Sequence, residues 1–86
     1  MSRVKLKAKT KVSLAEAIKL MEKYIAKEKI DTSKYYLWRA NLIQYGSQNN
    51  TRPAWHFWWL SDNGGVGDYI VILVFMDKKT QRIPSM

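Results

Sequence analysis

Eighty-six residues without a cysteine make one domain with a small core, and they exclude disulfide staples and thiolate metal sites. The net charge of +8 is uneven: residues 1–29 carry nine Lys/Arg against three Glu, and residues 30–86 carry six against four Asp. That balance favours acidic partners, and the longest apolar run, Tyr69–Met76, is far short of the ~20 residues that span a bilayer.

Residues 3–12 alternate, with Val4, Leu6, Ala8, Thr10 and Val12 on one side and Arg3, Lys5, Lys7, Lys9 and Lys11 on the other. Period two fits a lysine-protected edge strand, and the thin apolar side fits a basic arm equally well, so residues 1–12 are left as either. No apolar stretch of signal-peptide length follows the basic start. The chain is therefore expected to be soluble, with no membrane segment and its compartment left open.

Ser13 and Glu16 have capping-box spacing and open a helix over 13–29. Leu14, Ala17, Ile18, Met21 and Ile25, with Tyr24 beside them, share one face at helical spacing. Asp31-Thr32-Ser33 is a turn. Residues 35–45 read as a strand with Tyr36, Trp38, Ala40 and Leu42 on its apolar face, and Gly46 to Pro53 reads as a polar loop.

The second half is dominated by Pro53 to Asp77. Strands at 54–61 and 69–77 flank a glycine-bearing connector, the pattern of a β-hairpin. Trp55, Phe57 and Trp59 alternate with His56, Trp58 and Leu60, and Tyr69, Val71, Leu73 and Phe75 with Ile70, Ile72, Val74 and Met76. Both strands are apolar on both faces. A turn at Asp77–Thr80 precedes a short terminal strand. The expected fold is a single α+β domain, 1–86, with one helix packed on an antiparallel meander sheet of three to four strands.

From Ser13 onward the chain resembles PepSY domains and their cystatin-like relatives. The matching pieces are SLAEAIKLMEKYI, PAWHFWWL, DYIVILVF and DKKTQRI, about 70 residues in extent. Gln81 stands where the family has a glycine after the threonine of the closing turn, and no QxVxG inhibitory loop is present. The resemblance implies a non-catalytic binding or inhibitory module.

The residues themselves suggest little chemistry. His56 is the only histidine, with no nucleophile or acid placed beside it by spacing, so no catalytic residue is assigned. His56, Asp62, Asp68 and Asp77 lack ligand spacing, so no metal or cofactor is assigned. Gly64-Gly65-x-Gly67 matches no phosphate-loop pattern and reads as a turn.

The excess of apolar residues points instead to binding. One helix covers one sheet face, and a second apolar face exceeds what monomers ordinarily expose. Trp55, Phe57, Trp58, Trp59 and Tyr69 are the candidate partner-binding residues of a non-enzymatic module, expected to form a homodimer packed sheet to sheet. The alternative is a nucleic-acid binder that neutralises phosphates with Arg3, Lys5, Lys7, Lys9 and Lys11.

Overall fold

The computed structural model describes residues 11–63 and 68–84. Arg3, Lys5, Lys7, Lys9 and all but the last two residues of the strand-or-arm expected over 1–12 lie outside that range, as do the glycines of the 64–67 connector. The elements are α1 (Leu14–Lys27), β1 (Tyr35–Ser47), β2 (Asn50–Ser61), β3 (Tyr69–Phe75) and β4 (Thr80–Ile83). The strands form one antiparallel sheet in the order β1-β2-β3-β4, with α1 packed on one face. This is the expected α+β arrangement, with four strands.

Local chemistry accounts for both ends of α1. Ser13 caps it, its Oγ accepting from Glu16 N at 3.1 Å, while the Glu16 carboxylate meets Lys78 Nζ at 3.1 Å. Val12 and Ala17, on either side of the cap, are both fully buried in one cluster, a hydrophobic staple. Val12 thus fills the place expected of Leu14, which is 40% exposed. At the other end Ile30 N donates to Ile25 O and Lys29 N to Ala26 O, with Lys29 at φ 54°. That is a Schellman closure with lysine in the position usually held by glycine.

The faces of the sheet follow from its register. Phe57 pairs with Ile72, Trp55 with Val74 and Trp59 with Ile70, and these six pack towards α1 with Met21 and Ala17. His56, Trp58 and Leu60, paired with Leu73, Val71 and Tyr69, therefore face away.

Two expectations are corrected. The first concerns the face Tyr36-Trp38-Ala40-Leu42. Leu37 pairs with Trp59, but Arg39 pairs with Trp58, so Trp38 is an extra residue in a β-bulge. The bulge changes the parity: Leu37 shares the helix side with Ala40 and Leu42, and Trp38 turns to the opposite face. The second concerns the loop Gly46–Pro53. Pairing runs on to Ser47↔Asn50, leaving only Gln48-Asn49 as the connection. Because β3 pairs only with Ala54–Leu60, the end of the hairpin projects as a two-stranded ribbon. Pro53 sits on this ribbon, where β2 has one neighbouring strand and a missing N–H is tolerated.

A candidate interaction face on the sheet

The five candidate partner-binding residues divide between the two faces. Phe57 is fully buried under α1, and Trp55 and Trp59 are half-buried on the same side. Trp55 is also tied to the staple, its Nε1 donating to Val12 O at 2.7 Å. These three build the domain's interior. Trp58 and Tyr69 stand on the face away from the helix, where no described helix or strand lies over them.

That far face is organised around Trp58. Its ring makes edge-to-face contacts with Trp38 at 5.1 Å, His56 at 5.8 Å and Tyr69 at 5.9 Å between centroids. Towards the ribbon a second group forms, with Tyr45 edge-on to Phe75 at 6.0 Å and the Arg52 guanidinium 4.1 Å over the Phe75 ring. Arg39 lies likewise 4.4 Å over Trp38. Between the groups is a shallow groove of about 330 Å³, lined by Ile43, Tyr45, Trp58 and Leu73 among others.

Much of this face is a second core rather than an open patch. Leu73 and Ala54 are fully buried and Phe75 nearly so, with Ile43 from β1 and Ile83 from β4 packed against them. The flanking strands thus supply part of the cover that the helix cannot. What stays exposed is displaced to one edge. Apart from Leu14, the large exposed apolar side chains among the described residues are Tyr36, Leu37, Trp38, Leu42 and Tyr45, all on β1. No sequence pattern singled out Leu37 or Tyr45, because their exposure follows from β1 being an edge strand.

The polar groups here are few. His56 Nδ1 and Trp58 Nε1 are buried with no hydrogen-bond partner within the protein. Burial pushes the His56 imidazole below its ordinary pKa, and the Arg39 charge adds to that shift. The Ser61 hydroxyl accepts from Asn63 N, and Ser47 is exposed at the ribbon's end. Among the described residues no three of His, Asp and Glu converge, and no helix is long and apolar enough to cross a membrane. The Tyr35 hydroxyl donates to Asp68, which raises the phenol's pKa and ties the start of β1 to that of β3.

Lys11, the one described member of the basic N-terminal set, is exposed near Arg52, Pro53 and Asp77. No family model, curated protein or solved structure matches this chain.

Proposed function

We propose that this protein is a non-enzymatic protein-binding module, of the inhibitor or accessory kind, that engages its partner through the aromatic side of the β1–β2 hairpin. The observation that carries this reading is the gathering of exposed Tyr36, Trp38 and Tyr45 on the far face of one edge strand, with Leu37 and Leu42 exposed on its other face. Tryptophan and tyrosine in such a setting are the usual anchors of protein interfaces. The resemblance to PepSY and cystatin-like modules supports the same reading.

The test is capture from the native source with the intact chain and with a Trp38→Ser/Tyr45→Ser double variant of matching circular dichroism. A specific partner should be retained by the first and weakened by at least about tenfold in the second, the scale of one hot-spot residue. Equal capture by both would sink the reading.

A second reading, nucleic-acid binding, is favoured by one observation. Residues 32–60 contain Lys34, Arg39 and Arg52 and no carboxylate, and both arginines lie over aromatic rings of the far face. Phosphate contact would weaken steeply between about 50 and 200 mM salt and fail in a Lys5/Lys7/Lys9 triple-alanine variant. An apolar protein interface would not.

A further inference from the structure

We infer that β1 is the seam of a homodimer, in which a second copy pairs antiparallel along Arg39–Tyr45 with Leu42 on the two-fold axis. This inference rests on the protein-binding reading and names its partner as the chain itself.

The two edges of the sheet differ in kind. β4 is four residues long and is followed at once by Pro84, which has no N–H to offer a neighbour. β1 is thirteen residues long and contains no proline, lysine or carboxylate. Short strands, prolines, charges and bulges are the devices that keep sheet edges apart; β1 has one charge, Arg39, and one bulge, at Trp38, and neither falls within Ala40–Tyr45. Among the described residues no strand borders its outer side.

Geometry then selects the register. The bulge at Trp38 interrupts regular pairing below Arg39, and Gly46, at φ 137°, interrupts it above Tyr45. The regular edge between them is Arg39–Tyr45, and its middle residue is Leu42. A two-fold axis normal to the sheet there sets Leu42 against Leu42, Asn41 against Ile43, Ala40 against Gln44 and Arg39 against Tyr45. Residues directly opposite share a face.

The chemistry of those pairs is self-complementary. The exposed Leu42 meets its own copy on the helix side of the sheet. The guanidinium of Arg39, already against Trp38, meets the exposed ring of Tyr45. No like charges face each other across the seam. An axis on Ile43 would instead set Asn41 against Tyr45 and Arg39 against Ser47. The opposing term is the +8 charge of each copy, which is long-range and screened by salt. Association should therefore tighten as salt rises, the reverse of binding to nucleic acid or to an acidic protein.

Because the chain has no cysteine, Leu42→Cys introduces a single thiol on the proposed axis. Cross-strand Cβ separations of about 4.5–5.5 Å lie close to those of a disulfide. Under mild oxidation Leu42→Cys should form a covalent dimer at low micromolar concentration, well ahead of an Ala26→Cys control on the exposed side of α1. Light scattering of the unaltered chain should show a dimer that strengthens with salt, and Leu42→Asp should raise its dissociation constant at least about tenfold with the fold retained. A strict monomer at high micromolar concentration overturns the seam. If that monomer still captures a partner through Trp38 and Tyr45, the protein-binding reading survives the loss. A dimer in which Leu42→Cys cross-links no faster than the control is packed face to face, and it too overturns the seam.

Discussion

β3 and β1 are both rich in large apolar side chains and opposite in fate, although β1 also carries Arg39, Asn41, Gln44, Gly46 and Ser47 where β3 has no polar residue but the Tyr69 hydroxyl. β3, YIVILVF, is buried from Ile70 to Phe75 on both faces. β1, YYLWRANLIQYGS, has no buried residue and exposes apolar side chains on both of its faces. The difference is one of position. β3 has α1 over one face, and on the other Ile43 and Ile83 from the outer strands close around Leu73 and Phe75. Among the described residues β1 has a neighbouring strand on one side, and it reaches the two clusters at Tyr35, Ala40 and Ile43. Large apolar side chains therefore hold the fold together in one strand and stay in contact with water in the other.

The largest effect that tests this contrast is truncation in β3. Ile72 and Leu73 are neighbours that point to opposite faces, and both are fully buried. Ile72→Ala should cost about 2–5 kcal/mol, and Leu73→Ala should fall in the same range although it faces away from the helix. Leu42→Ala on β1 should cost less than about 1 kcal/mol in the monomer, since that side chain is already partly in water. Urea titration of the three variants decides it. A Leu73→Ala cost below 1 kcal/mol would mean that the far face is not a core and that the two strands are less different than their burial indicates.

β1 contributes to the fold through its backbone as well. Gly46 lies at φ 137°, a conformation that side chains resist, and an added Cβ would come within 2.2 Å of the Asn50 carbonyl oxygen across the ribbon. Gly46→Ala should therefore destabilise by about 1–3 kcal/mol, more than Leu42→Ala despite the smaller change in apolar surface. Thermal melts of the two variants side by side make the comparison. The reverse order would show that the ribbon is loose enough to absorb the clash.

How much of this was legible in the sequence depends on the kind of signal. The helix with its Ser13 cap, the meander order and the terminal strand are local patterns, and they were readable. The bulge was not, because Leu37, Trp38 and Arg39 satisfy either parity until Trp58 and Trp59 are paired across from them. The ribbon was hidden because its residues are polar on both sides and show no alternation. The parity of β2 was undecidable from composition, since Trp55-Phe57-Trp59 and His56-Trp58-Leu60 are comparably apolar. Three of the five candidate binding residues consequently fell on the interior side. Val12 was legible as apolar but not as the staple of α1. The exposure of β1 is a property of sheet order, which no single strand encodes.

The smallest effect concerns His56, half-buried on the far face between Trp58 and Leu73, opposite Asn41. Burial lowers its pKa from the ordinary 6.5, and the nearby Arg39 charge acts in the same direction. Well above pH 6.5 the imidazole is neutral in both the folded and the unfolded chain and contributes no pH dependence. As pH falls below that value the unfolded chain takes up a proton that the folded chain resists. The unfolded state then binds more protons, and stability declines until the folded value is passed. Asp31, whose pKa its hydrogen bonds from Ser33 hold below 3.8, titrates lower and leaves this window clear. Urea midpoints at pH 7.5 and 5.5 should fall with pH in the unaltered chain and change less in a His56→Phe variant. The drop should be modest, because an imidazole still partly in water is partly relieved by solvent. A drop of equal size in the variant would place the titrating group elsewhere and would show that the far face shields its histidine less than it shields Leu73.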